Sequence, residues 1–318
     1  MKKILFAFCF SILTSSIFSQ YKWDIGANIG AANYLGEIGG KEKNARGFIA
    51  DIKFSQTRPS LGGFVRYKIR RNIYFRGNLA WNRISGADNL STNPGRMGRN
   101  LSFRNDILEA SIIGQYTFFN ITDLGRTYRY QNDIRVYVFT GVTGFYHNPE
   151  AKYKGSWEKL QPLHTEGQGI IEGVKEYKLF QFAIPMGAGL FFTIGKRYRI
   201  GWEFNYRTTF TDYLDDVSTV YPANPSVLGS DLSQALSNRN PELIYTDNTN
   251  LPAKENYLYD PINKVNAKRG NPIHNDSYLS TTINVSYVLK SRSKFARTKY
   301  RTYFKSKKYS KRIIRAKF

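Results

Sequence analysis

Cysteine is almost missing from this 318-residue chain: Cys9 is the single one, and it sits inside an apolar run near the N-terminus. That leaves no disulfide framework, no Cys-zinc site and no thiol chemistry, so stability has to come from burial and hydrogen bonding. No stretch approaches eighteen consecutive apolar residues, which rules out a transmembrane helix. Histidine is scarce, at three residues (His147, His164 and His274). Acidic residues disappear from Lys290 onward, where thirteen Lys or Arg occur without one Asp or Glu.

The N-terminus is MKKILFAFCFSILTSSIFSQ, two lysines before an apolar run from Ile4 to Leu13 and then small polar residues up to Ser19. This predicts a secretory signal peptide over 1–19, cleaved to leave Gln20 first. Cys9 follows Phe8 rather than a small residue, so it does not look like a lipidation site. An exported chain without a helical anchor is either a soluble periplasmic or secreted protein or an outer-membrane barrel. A content of 15% aromatic residues with 26 Gly fits strands that are apolar on one face only.

The recurring pattern is alternation with a period of two. In IGWEFNYRTTF, Ile200, Trp202, Phe204, Tyr206 and Phe210 share one face, and Gly201, Glu203, Asn205, Arg207 and Thr209 share the other. YFRGNLAWN and YLSTTINVSYVL behave likewise, and weaker matches cover 23–32, 60–69, 106–118 and 180–193. The segment 135–146 has Val, Phe and Tyr on both faces, so its phase stays open. That makes eight strands. Short or moderate links at Arg70–Asn72, Asn120–Ile134 and Gly195–Arg199 alternate with long polar ones at 34–58, 84–104, 147–178 and 212–276, the asymmetry of periplasmic turns and external loops. The expectation is an all-β protein: an eight-stranded antiparallel transmembrane β-barrel at 20–289, in the outer membrane, with long external loops and a basic periplasmic tail at 290–318.

Eight strands leave a lumen filled by side chains. The inward set Asp24, Arg66, Arg76, Glu109, Glu203 and Arg207 mixes signs, which favours an internal salt-bridge plug over an ion path. Catalysis has little support: the histidines fall in predicted external loops, and no nucleophile motif surrounds a serine such as Ser277, near His274. Asp212, Asp215 and Asp216 in DYLDDVS could hold calcium but lack the spacing of a dedicated loop, so a solvated or turn-forming cluster is expected. No metal and no cofactor is called for. SDLSQALSNR predicts a short helix capped by Ser230 or Asp231.

Three stretches carry a resemblance. NYLGEIGG (Asn33 to Gly40), TDYLDDVSTVYP (Thr211 to Pro222, with Tyr213, Leu214, Asp215 and Asp216) and LSNRNPE (Leu236 to Glu242) resemble the PorG family. Those are outer-membrane β-barrel components of the type IX secretion system of Bacteroidota, which also supports gliding motility in some members. The resemblance spans about residues 20 to 289 and implies a non-enzymatic role, docked to the periplasmic ring of PorK and PorN type. The alternative is a small surface barrel acting as an adhesin or ligand binder through its loops. A third reading is a lipid-modifying enzyme using His164 or His274.

The tail interleaves Phe and Tyr with cations, a composition that suits nucleic acid, but an exported barrel meets none. Its partners would be membrane phosphates or acidic protein surfaces. The candidate partner-binding set is Lys294, Arg297, Lys299, Arg301, Tyr303, Lys307, Lys308, Lys311, Arg312 and Arg315.

Overall fold

The computed structural model describes residues 22–38, 54–91, 94–122, 132–243 and 268–289. The signal-peptide expectation at 1–19 and the whole basic tail, with its candidate residues from Lys294 to Arg315, lie outside them. Ten strands occur among the described residues: β1 Trp23–Leu35, β2 Arg58–Lys68, β3 Ile73–Ala87, β4 Ser102–Thr122, β5 Asp133–Tyr146, β6 Pro149–Tyr153, β7 Ser156–Lys159, β8 Phe180–Ile194, β9 Tyr198–Thr209 and β10 Ser277–Val288. Eight of them close a barrel in the order β1-β2-β3-β4-β5-β8-β9-β10, and β10 returns to pair with β1 from Asp24↔Val288 to Leu35↔Ser277. Every pairing is antiparallel, so the backbone donors and acceptors of the staves are satisfied within the wall, the condition for crossing a bilayer with strands.

The eight staves are the eight segments whose alternation predicts them. In β9, Trp202 and Ile200 face out while Glu203, Asn205 and Arg207 are buried. The outer face is apolar all round: Ile29 is 60% exposed, Leu79 68%, Ile112 70% and Val142 61%. A water-soluble protein rarely leaves so much contiguous apolar surface uncovered, and lipid is the solvent that suits it. Trp23 against Tyr67 and Tyr198 against Tyr287, with ring centroids 4.6 and 5.5 Å apart, sit where the short turns are; Trp81, Tyr146 and Phe180 lie towards the long loops. The protein is therefore an outer-membrane β-barrel. The short links 69–72 and 195–197 mark its periplasmic end.

Ile112 faces outward in mid-wall, opposite Gly77 on β3 and Val142 on β5. Ile112→Arg is expected to destabilise the barrel by about 2–4 kcal/mol, the usual cost of a cation at the bilayer midplane. Urea titration in lipid vesicles checks this, and a loss below about 0.5 kcal/mol would place this face away from lipid.

The open phase of β5 resolves with Tyr137, Phe139 and Phe145 inward and Val138, Val142 and Tyr146 outward. Glycines opposite make the room: a Cβ on Gly189 would lie 2.6 Å from the Tyr137 hydroxyl, and one on Gly187 2.6 Å from the Phe139 ring. Alternation also breaks at Phe118 and Phe119, both exposed, because a β-bulge between Thr117 and Phe119 turns two successive side chains outward. The 147–178 link is not wholly irregular as its polarity suggests. It opens with the hairpin β6–β7, seated on the outer end of β4 through Arg104↔Glu150.

Candidate functional site

The lumen is tiered. Nearest the loops, Arg207 forks onto Glu109 at 2.6 and 3.0 Å, and the Tyr278 hydroxyl donates to the same carboxylate at 2.8 Å. Midway, Arg76 forks onto Glu203, with Nη2 at 2.8 Å, and the Tyr137 hydroxyl adds a third donor at 2.8 Å. At the periplasmic end, Asp24 lies between Arg199, with which it is hydrogen-bonded, and Arg66 at 3.6 Å. All of these side chains are inward, as their alternation requires. The expected inward charges thus form the expected plug: opposite charges pair across the lumen in each tier.

Above the plug the long loops fold into a cap, and all three PorG-like stretches meet in it. Tyr34, at the loop end of β1, points inward and donates towards both Asp215 Oδ2 and Asp276 Oδ1 at 2.6 Å, and it accepts from the Glu37 backbone N–H at 3.1 Å. Asp215 also accepts from Val217 N, and Asp276 from Leu214 N, each at 3.0 Å. Asp216, in a left-handed conformation (φ 65°), accepts from Thr165 Oγ1 at 2.5 Å and the Tyr177 hydroxyl at 2.8 Å. Glu166 takes the Ser218 and Thr219 backbone N–H groups at 2.9 and 3.0 Å and Arg269 at 3.0 Å.

The third stretch closes the cap laterally. Helix α1 is Pro94–Arg99 and helix α2 is Asp231–Ser237, the latter capped by Ser230, whose side chain accepts from Ser233 N at 3.1 Å. Beyond α2, Arg239 reaches Ser102 Oγ at 2.9 Å and Asn240 reaches Gly98 O at 2.6 Å. Arg99 pairs with Asp88 at 2.7 Å and donates to Glu37 O at 3.1 Å. Leu214, Leu236, Val217, Ile38, Ile84 and Phe145 pack as the apolar core of this unit. Tyr213 stacks on Tyr177 at 4.7 Å, which stacks in turn on His147.

The Asp cluster is therefore not solvated: Asp215 is 1% exposed and Asp216 fully buried. Burial is the main cause that raises these carboxyls. Asp215 is pushed to about 8, with Glu37 adding repulsion; Asp212 to about 8; Glu37 to about 7 against the pull of Arg99; and Asp216 to about 6 against Arg269. Asp276 is pushed well up by burial and by Asp215 and Asp212. The phenol geometry gives an independent reason. Tyr34 has one proton to donate and two carboxylates at hydrogen-bonding distance, so one of the two must itself carry a proton and donate back to the phenol oxygen. Among the described residues no group of three or more His, Cys, Asp or Glu is arranged to hold a metal ion.

The histidines do not gather. His147 is buried at the rim and pushed down to about 4 by burial, while His274 is exposed and its neighbour Ser277 is buried. Of the residues the sequence singles out, Tyr213, Leu214, Asp215 and Asp216 form one site. Tyr34 and Glu37 join them from the first stretch. Glu166, Arg269, Asp276 and Tyr177 come from loops with no local pattern and have no sequence signal beyond their charge or ring.

Comparison with known proteins adds the following. The family described as “Domain of unknown function (DUF6089)” matches residues 2–229. No curated protein matches the chain. Among solved structures, the N-terminal β-barrel domain of Pseudomonas aeruginosa OprF is similar at 9% identity and a TM-score of 0.31, over 85% of this chain and 98% of that one. The outer membrane protein OprG from Pseudomonas aeruginosa is similar at 8% identity and a TM-score of 0.36, over 86% and 98%. Ail, the attachment invasion locus protein of Yersinia pestis, solved in complex with the heparin analogue sucrose octasulfate, is similar at 10% and 0.33, over 84% and 98%.

Proposed function

The chain belongs to the DUF6089 family, and from this premise and the geometry above we propose that it is a non-enzymatic docking component of the type IX secretion machinery. In this reading the barrel anchors in the outer membrane and associates with a periplasmic ring of PorK and PorN type. The observation that carries the reading is the convergence of the three PorG-like stretches. Tyr34 and Glu37, Asp215 and Asp216, and Arg239 and Asn240 stand far apart in sequence, yet all belong to one hydrogen-bonded cap. Chance matches to a family pattern have no reason to meet.

The plugged lumen supports an anchoring role over a conducting one, and in this reading the cations of residues 290–318 act on the periplasmic side. The test is deletion of the gene, scored for secretion of type IX cargo, with complementation by chains with and without residues 290–318. Loss of secretion restored by the full chain is expected, and unimpaired secretion in the deletion strain overturns the reading. Intact secretion with loss of surface binding would favour the adhesin alternative. Co-purification of ring proteins through the tail should weaken steeply with salt, because the Debye length falls from about 10 Å at 0.1 M to about 3 Å at 1 M.

A further inference from the structure

The periplasmic mouth of the lumen carries more cation than its own carboxylates balance. Among the described residues, Arg66, Lys68, Arg135 and Arg199 face this end, against Asp24 and Asp133 alone. Asp24 lies between Arg66 and Arg199, and Asp133 accepts from Arg135 Nε at 2.7 Å. Lys68 is left among like charges: Arg135, Arg199 and Arg71 all act on it, with Asp133 as the opposing anion.

The donors are not used up within the chain. Arg66 is 2% exposed, yet its Nε and Nη1 make no hydrogen bond, and neither does Arg199 Nε. Gln115 Nε2, Thr117 Oγ1 and Thr193 Oγ1, buried at the same end, are also unbonded. Behind Arg66 is an aromatic floor, with its guanidinium carbon 5.0 Å from the Phe64 ring and 5.1 Å from the Phe191 ring. Donors that stay unpaired in a buried layer are costly unless something accepts from them.

We propose that this mouth is a receptacle for a carboxylate side chain, presented by an acidic segment of a periplasmic protein partner. Charge complementarity sets the sign of the occupant. The inward-facing side chains are separated from lipid by the wall, so a lipid headgroup does not reach them. Arg199 and Arg135 already donate to the carboxylates of Asp24 and Asp133 here, and the aromatic floor suits the methylene stem of a glutamate better than a bare phosphate. The chain's own tail, residues 290–318, has no Asp or Glu side chain to offer. Leu289, the last described residue, donates its backbone N–H to Trp23 O at 2.8 Å. The inference rests on the docking reading only for where the partner comes from.

The experiment uses the full chain in lipid nanodiscs and a fluorescent hexaglutamate peptide bearing a photo-cross-linker. Lys68→Gln removes a half-buried cation with no carboxylate in salt-bridge reach, so it leaves the plug intact, and Arg199→Gln is the second variant. Each should weaken peptide binding by about tenfold with the tail held constant, and cross-links should map to Tyr74 and Gln115. Unchanged affinity in both variants, or cross-links confined to the tail or the external loops, overturns the site. Displacement by inorganic phosphate at the peptide's own concentration overturns the carboxylate assignment. Peptide binding at the mouth in a protein whose deletion leaves secretion unimpaired sinks the docking reading and leaves the site standing.

Discussion

Replacing Glu203 by leucine is expected to cost the barrel about 3–5 kcal/mol of unfolding free energy, because the change strands a buried guanidinium. Arg76 and Glu203 are each 3% exposed, and the carboxylate also accepts from Tyr137. Removing it leaves Arg76 Nη1 and Nη2 and the Tyr137 hydroxyl without an acceptor, and the remaining lumen cations repel one another more strongly. The double replacement Arg76→Met with Glu203→Leu should recover most of the loss, since two apolar side chains of similar volume need neither water nor a partner. Urea unfolding in detergent, followed by tryptophan fluorescence and analysed as a double-mutant cycle, reads both terms. A single-variant loss under about 1 kcal/mol would mean that water reaches this tier, and the lumen would then have to be treated as a path after all. Planar-bilayer recordings of the intact protein should show no conductance.

The second large effect is on the cap and depends on pH. A carboxyl whose folded value is raised holds a proton that the opened form has already given up, so its contribution is lost as pH rises. Asp215, raised to about 8, and its partner Asp276 share one proton across Tyr34. His147 works in the opposite sense, since its value is lowered from 6.5 to about 4 and it stabilises the folded cap as pH rises through that interval. From pH 6.5 to about 8 the acids act alone: Asp212, raised to about 8, and Glu37, raised to about 7, lose stabilisation over the same window in the same sense, with Arg99, Arg269 and Lys268 opposing the negative charge that builds up.

Each proton released on opening corresponds to about tenfold more opening per pH unit in this window, so the shared proton alone sets a slope of at least that size. Hydrogen exchange of the cap amides between Leu214 and Ser237, corrected for intrinsic rate, measures it. Asp276→Asn should lower the slope by about one proton, to the part that Asp212 and Glu37 supply, because an amide accepts from Leu214 N and donates to the phenol without a shared proton. Tyr34→Phe should open the cap at every pH, by about 2 kcal/mol for the lost charge-assisted bonds, while leaving the barrel wall intact. A cap equally protected at pH 6.5 and 8.5 in the native chain would refute the shared proton.

The wall was legible because its physics is local. Each stave has lipid on one side and a polar lumen on the other, and that division writes a period of two into about ten residues. The phase of β5 was not legible, because Tyr137 and Phe139 are as apolar as Val138 and Val142. What sends them inward is the space left by Gly187 and Gly189 on the neighbouring stave. The cap was legible only as fragments. Tyr34 meets Asp276 across 242 positions and Glu166 meets Arg269 across 103, and neither pairing leaves a periodic trace. The buried state of the Asp run was missed for the same reason: charge in a loop suggests solvent until its partners are in place.

The pairing of β1 with β10 also dictates the order in which this protein can be built. The two strands that meet at the seam are the first and last of the wall, so until Ser277–Val288 arrives, β1 and β9 each present an edge of unpaired backbone. In hydrocarbon such an edge is untenable, so nascent chain has to be shielded until the final stave is laid down. Asp276 immediately precedes that stave, and Tyr34 stands opposite Tyr278 on the other side of the seam. Their hydrogen bond is thus a clasp that can fasten only after the cylinder has shut, and its protection from exchange would time-stamp the last event of assembly.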